Sequence, residues 1–518
     1  MKKSILYILS ITLTFIAVNS VKAQSIYDAL RFSQNYYEGT ARSIGVGNAM
    51  TSLGGDLGAV TINPAAAGIY RYSEFVVTPL LTFSHDRTNY LNNDTKINKT
   101  RFGLANVGIV GVFDTGRKYG IKNVNLSISS NGVNNYNSRT SASGREAVTS
   151  WLSSLATGTN GIKGTSMDMP ENDKYAPFYS GASWKSVLAW NAFLLDTLPG
   201  TNDQYVAANE NINGAAIELG GPIDQSFYRN ITGYNSEINF NISTNISDKV
   251  FLGLNIGVQN LYYSHYETYS ETALDSKDFQ TGFKSFTHTY SQTTAGAGFN
   301  IKAGIIYLPI KGLRLGASIA TPTWLYLNDR WEEKIETTHN IQNGHYSILS
   351  PLGEYSYRVN TPFRVNAGAS YVFGKYGFIS ADYEFADYSM IEMIESNGSV
   401  GGFLNQNRDI QQQFKTTHNI RVGAEFKPIQ PLSIRLGYNL YSSAEKNFDA
   451  TQHLASIGVG YKSKGGFFID LAYQQQLNYI KEAYSLYSNY SDVPELEVPI
   501  MKNDYLKSKL LLSIGIRF

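Results

Sequence analysis

The sequence predicts an all-β chain: a transmembrane antiparallel β-barrel of about fourteen strands with an N-terminal hatch, or plug, inside its lumen. Three observations carry this. First, stretches of roughly ten residues alternate between apolar and polar side chains, the period of a strand with two unlike faces. The cleanest puts Leu432, Ile434, Leu436, Tyr438 and Leu440 on one face and Ser433, Arg435, Gly437 and Asn439 on the other. Second, the connections between these stretches are short and long by turns. Third, residues 39–70, GTARSIGVGNAMTSLGGDLGAVTINPAAAGIY, contain almost no bulky apolar side chain. Such a segment cannot bury enough surface to fold alone and needs a container.

Composition supports a single large barrel. Of 518 residues, 16% are charged, against roughly 25% in ordinary soluble chains. The 46 glycines, 37 tyrosines and 26 phenylalanines suit turns and aromatic girdles. A formal net charge of +1 gives no footing for nucleic acid. The absence of cysteine excludes disulfides, thiolate metal sites, a cysteine nucleophile and N-terminal lipidation.

Lys2 and Lys3 precede an apolar run, Ile5 to Val18, and Val21-Lys22-Ala23 ends on a small residue. That is a signal peptide over 1–23, cleaved after Ala23. The run is short for a bilayer-spanning anchor. A polar tail from Ser25 to Glu38 and the hatch complete 24–72, and the barrel with its loops occupies 73–518. Expected strands are Glu74–Phe83, Arg101–Phe113, Val124–Ser130, Ile238–Ser243, Leu252–Gln259, Phe299–Tyr307, Leu313–Ala320, Phe363–Phe373, Ile379–Phe385, Ile420–Phe426, Leu432–Leu440, Leu454–Tyr461, Phe467–Gln474 and Leu510–Phe518.

The tight turns Asp114–Gly120, Ser247–Lys249, Pro309–Gly312, Gly374–Gly377, Lys427–Pro431 and Lys462–Gly466 are rich in Gly, Pro, Asp and Lys. Between them come long connections: His85–Thr100, Asn131–Gly233, Tyr263–Phe286, Tyr326–Arg358, Asp387–Gln412, Tyr441–His453 and Gln475–Lys507. Short turns on one rim and long loops on the other place both chain ends on the periplasmic side. Lys302, Arg314, Arg364, Asp382, Glu384, Arg421, Glu425, Arg435, Asp470 and Arg517 fall on the polar faces of their strands, where a lumen would pair them.

The longest loop, 131–233, holds two helix-spaced sets: Val148, Trp151, Leu152 and Leu155, and Trp184, Val187, Leu188, Leu195 and Leu198, the second stopped by Pro199-Gly200. Their stripes either pack on each other or, through Trp151, Trp184 and Leu188, offer a capture surface for apolar ligand.

No catalytic constellation is found, and the reading is of a non-enzyme without cofactor or metal. The seven histidines form no ligand cluster. His288 near Ser291 lacks an orienting partner and an oxyanion site. Gly45-Val46-Gly47 lacks the third glycine of a dinucleotide fingerprint.

Gly39-Thr40-Ala41-Arg42, the small-residue run through Gly54-Gly55-Asp56, and Asn63-Pro64-Ala65 together resemble the N-terminal hatch of the FadL/TodX family of outer-membrane transporters for hydrophobic compounds. The chain's final alternation, Leu510 to Phe518, resembles the signal read by the outer-membrane barrel assembly machinery. The resemblance implies passive transport of hydrophobic molecules such as long-chain fatty acids, across the outer membrane of a Gram-negative bacterium, by a monomer. It implies ligand gating at the hatch by Arg42, Gly54, Gly55, Asn63, Pro64 and Ala65. It also implies a tail that reaches into the ligand pocket through Ile26, Tyr27 and Phe32, and sideways release into membrane lipid through a wall kink, expected at Ser130-Asn131-Gly132. Two other readings stay open: a related barrel that serves a secreted or surface protein, and a receptor for haem or an aromatic compound.

Overall fold

A computed structural model describes residues 25–169, 176–214, 216–340, 344–490 and 496–518. The signal-peptide reading of 1–23 lies outside them. Fourteen strands form the barrel: β1 Glu74–Tyr90, β2 Asn93–Asp114, β3 Ile121–Asn135, β4 Ile223–Ile246, β5 Val250–Ala273, β6 Phe283–Tyr307, β7 Leu313–Ala320, β8 Arg364–Val372, β9 Gly377–Asp387, β10 Thr416–Ile429, β11 Leu432–Tyr441, β12 Gln452–Lys462, β13 Phe467–Gln476 and β14 Ile500–Arg517. Each pairs antiparallel with the next, and β14 pairs with β1 from Glu74↔Arg517 to Asn89↔Lys502. That last ladder closes the ring and removes both sheet edges.

The outward positions of every wall carry exposed apolar side chains, among them Phe113, Ile242, Leu254, Ile301, Ile379, Leu436, Ile457 and Ile516. Their inward neighbours Ser243, Asn255, Asn300, Ser380, Arg435, Ser456 and Ser513 are buried. A belt of this kind faces lipid. The tight turns gather at one rim. At the other, the strands run well past the belt. Here the sequence reading needs correction, because much of the expected long loops is strand. His85–Thr100 is a continuous hairpin turned by Leu91 and Asn92, both with positive φ. β5 likewise continues to Ala273. Above the lipid both faces meet water or other loops, so the apolar alternation ends while the backbone ladder continues.

β6 pairs below with β7 and above with the strand Trp324–His339. Thr321-Pro322-Thr323 separates these two, and Thr361-Pro362-Phe363 separates Gly353–Asn360 from β8 at the same height. Proline lacks the donor a ladder requires, so two adjacent strands break together.

Five helices matter to the lumen and its cover: α1 Ile26–Ser33, α2 Ala41–Gly45, α3 Trp151–Thr159, α4 Trp184–Asn191 and α5 Leu404–Gln413. α1 corrects the reading of 25–38 as a plain polar tail. Ser25 caps it by accepting from Tyr27 N, and Asp28 lies in its first turn. α4 ends at Asn191, short of Leu195 and Leu198. Leu195 belongs to a small strand, Leu195–Thr197, paired with Tyr205–Ala207, and Phe193 at φ 57° makes the break before it. Val148 precedes α3 and is exposed.

Candidate functional site

Residues 39–70 touch walls on every side, which is possible only from within the ring. Asn63 begins a 3-10 turn, Pro64–Ile69, by accepting from Ala65 N at 3.0 Å. Its Nδ2 donates to Thr51 O at 2.6 Å and to Ile305 O of β6 at 3.2 Å. Pro64 and Ala65 lie so close to β5 that a Cβ at Gly253 would fall 2.3 Å from the Pro64 carbonyl carbon. On other walls Thr51 N donates to Asp382 Oδ2 of β9 at 2.7 Å, and Ala41 N donates to Ser513 Oγ of β14 at 2.7 Å. Gly423 and Gly437 leave room for Val46 and Gly47. The plug is therefore seated on strand backbone at inward glycines, a role their alternation alone did not reveal.

Gly54 and Gly55 turn the chain with φ of 63° and 66°, where a side chain is strained. Gly55 N donates to Ala66 O at 2.9 Å and its carbonyl accepts from Arg42 Nη1 at 2.6 Å. Arg42 also lies 3.9 Å from both Asp56 and Glu425. Arg42, Gly54, Gly55, Asn63, Pro64 and Ala65 thus lie in one connected knot. Gly45-Val46-Gly47 belongs to it as well, beside β10 and β11.

Most of the expected lumen charges are buried pairs. Arg364 and Arg421 both meet Glu384, at 3.3 and 3.1 Å, and Arg435 meets Glu425 at 2.7 Å and Asp470 at 2.5 Å. Arg517 meets Glu74 at 2.5 Å, and Lys302 pairs with Glu237. Arg314 instead donates to Leu53 O of the plug at 2.5 Å.

Above the plug, α1 lies in an apolar chamber. Ile26, Ala29, Leu30 and Phe32 pack among Leu261, Tyr263, Leu325, Tyr357, Phe403 and Phe414. Phe32 meets Tyr263 edge-on at 5.6 Å. Tyr27 is nearly half exposed, and its hydroxyl donates to Gln413 Oε1 at 3.0 Å. Arg364 Nη2 donates to Ser33 O at 2.6 Å, which fixes the end of α1 to the wall.

The wall changes at Ser130, Asn131 and Gly132. The β2–β3 ladder ends at Asn106↔Asn131, and β3 slips register against β4 between Gly132 and Asn134. Beyond this point β2 pairs with β1 alone, while the strand Ser138–Ala147 continues on β4. The tail takes the freed carbonyls: Glu38 N donates to Gly132 O at 2.7 Å and Tyr36 N to Val133 O at 2.9 Å. A Cβ at Gly132 would strike Glu38 Oε2 at 2.3 Å. Side chains then bridge the seam: Lys99 Nζ donates to Ile231 O at 2.6 Å and Arg101 Nη1 to Asn137 Oδ1 at 2.6 Å. Beside it lies a cavity of about 260 Å³, lined mainly by polar groups such as Tyr36, Asp86, Asn135, Arg229, Gln474 and Lys507.

Trp151 and Leu188 are buried in the core of the long loop with Phe286, Ile335 and Met501, and Trp184 packs partly exposed at its edge. Trp151 and Leu188 thus pack within the loop's own core, the first of the two arrangements the sequence allows. Buried Glu271 of β5 ties that core down, accepting from Ser150 Oγ at 2.6 Å, Trp151 N at 2.7 Å and Tyr269 Oη at 2.8 Å.

His288 pairs with Glu333 at 2.8 Å and stacks on Trp151 of the loop core. Ser291 is an odd number of residues along β6, so it points the other way. Among the described residues no group of three His, Asp or Glu is placed to hold a metal.

No family model and no curated protein matches the sequence. Solved structures match the fold. The P. putida toluene transporter TodX superposes with a TM-score of 0.52 at 11% identity, over 94% of this chain and 99% of its own. A Pseudomonas aeruginosa FadL homologue gives 0.53 at 12% identity, over 94% and 100%. The chain has the fold of the FadL/TodX channels, a closed fourteen-stranded antiparallel barrel.

Proposed function

We propose that the chain is a passive outer-membrane channel for hydrophobic molecules, long-chain fatty acids or similar, which releases them sideways into lipid at the β2–β3 seam. One observation carries the reading: the barrel is plugged along its axis, yet its wall loses a backbone ladder beside the plug. A long alkyl chain is worth about 0.8 kcal/mol per buried methylene, so a water-filled bore would oppose its passage, while an opening toward lipid would not. The superposed structures, a toluene transporter and a FadL homologue, support a hydrophobic cargo. In this account Asn63-Pro64-Ala65, Gly54-Gly55 and Arg42 keep the bore closed, and Ile26 and Phe32 hold the tail in the chamber above it.

The test is uptake of radiolabelled oleate by intact cells that lack or carry the chain, with a small sugar as the aqueous control. Oleate uptake should rise and sugar uptake should not. Equal entry of both would make the barrel an open pore, and no effect on oleate would remove the proposal.

A further inference from the structure

Each of the six tight turns holds a lysine: Lys118, Lys249, Lys311, Lys375, Lys427 and Lys464. Turn geometry selects Gly, Pro, Asn, Asp and Ser and asks for no lysine, so a cation in every turn has another cause. The turns close successive hairpins of one ring and therefore stand side by side along a single rim. Arg117 and Lys462 add to the set, in a chain whose formal net charge is only +1.

Carboxylates do not balance this rim. Within the turns the acids are Asp114 and Asp248. Asp248 is held by Arg71 and Lys122, both at 2.5 Å, and Asp114 accepts from Gly116 N at 2.8 Å. On the inner side of the rim, Glu74 meets Arg517, Glu425 and Asp470 meet Arg435, and Asp56 lies near Arg42. Lys427 reaches in to Glu425 at 3.3 Å. The other five turn lysines are exposed and make no ion pair among the described residues. A rim that only had to stay hydrated would mix the two signs.

The outer face shows where these lysines stand. Just before five of the turns it carries an exposed aromatic ring: Phe113, Tyr307, Phe373, Phe426 and Tyr461. The turn between β4 and β5 is the exception. Aromatic rings of a barrel mark the boundary between acyl chains and headgroups. Lysines a few residues further along the chain lie at headgroup depth, and their long stems can lie back along the rings. Lys375 does so, its Nζ 5.5 Å from the centre of the Tyr376 ring. Cations spread around the whole rim fit a partner that surrounds the barrel better than one that docks on a single side.

We propose that this rim is a ring of sites for the phosphate groups of anionic phospholipid, the lysines holding headgroups while the rings beside them sit at the acyl boundary. The proposal rests on the outer-membrane reading, which turns this rim toward the periplasmic leaflet. It does not depend on what the channel carries.

The experiment places the full mature chain in phosphatidylcholine bilayers with spin-labelled phosphatidylglycerol or spin-labelled phosphatidylcholine as the probe. The fraction of probe slowed by the protein is read by electron paramagnetic resonance. At low salt phosphatidylglycerol should associate at least about threefold more strongly than phosphatidylcholine, and most of that preference should vanish at about 0.5 M salt. In a Lys311→Gln, Lys375→Gln, Lys464→Gln variant, checked for barrel assembly by heat-modifiable gel mobility, the preference should fall below about 1.5-fold. A Lys96→Gln, Lys481→Gln, Lys502→Gln variant removes as many exposed cations from the opposite end of the strands and should keep it. Wild-type protein without a preference overturns the proposal, and salt-sensitive binding of soluble polyglutamate in that case would assign the rim to an acidic protein. A preference that survives the turn substitutions, or falls equally in the control variant, overturns it too. Failure of the chain to enter bilayers at all removes the membrane reading itself.

Discussion

Gly437 shows how little space separates plug from wall. A Cβ there would stand 2.1 Å from Gly47 N, whereas one at Gly103, on the same inner surface, would meet nothing within 4 Å. Gly437→Ala should therefore lower barrel stability by about 1–3 kcal/mol, the usual cost of overpacking, while Gly103→Ala stays within about 0.5 kcal/mol. Urea midpoints followed by heat-modifiable gel mobility will separate the two. Asp248, in the tight turn between β4 and β5, is the clearest titrating clamp. Partial burial works to raise its carboxyl, but hydrogen bonds from Asn245, Lys122 and Arg71 outweigh that and hold it at about 2. Its folded value lies below its unfolded one, so its stabilisation is present above about pH 4 and is lost as pH falls toward 2. Asp248→Asn should flatten stability across that window, measured as unfolding midpoints from pH 5 down to pH 2. The clamp is partly exposed, so solvent screening keeps the effect small.

At the scale of elements, α1 and the plug separate in their consequences. α1 adds apolar contact but no ladder, so deleting Ser25 to Phe32 should leave the barrel assembled and change the rate of fatty-acid uptake; unchanged kinetics would mean the tail has no part in passage. The long loop has its own core, and Trp151 stacks on Phe286 and His288 at 5.4 Å each. Trp151→Ala should cost that core about 3–5 kcal/mol. Limited proteolysis should then cut the loop early while the strands resist.

Elements also show what the sequence could convey. Each of the fourteen expected strands overlaps an observed one, because inside the belt an apolar side chain must alternate with a lumen-facing one. Their upper halves were illegible because no lipid imposes the pattern there. α1 was missed because five polar or charged residues surround its short apolar stripe, although Ser25 with Asp28 was a readable cap. Arg42, Gly54, Gly55 and Asn63 could be read as a group since they are near in sequence. Lys99 and Arg101 could not be joined to Ile231 and Asn137 across the seam, since only the folded ring brings those residues together.

For the whole molecule, the proposal is of a cylinder shut along its axis by a segment that cannot fold without it, with release into lipid where the β2–β3 ladder stops. The chain has no cysteine, so the seam can be bridged selectively with Arg101→Cys and Asn137→Cys joined by a bifunctional thiol reagent. Oleate uptake by cells carrying this variant, before bridging, after bridging and after reductive release of the bridge, is the most direct measurement. The account predicts uptake that falls to the level of cells lacking the chain when the seam is held shut and returns on release. Uptake that continues undiminished through a fully bridged seam would contradict it.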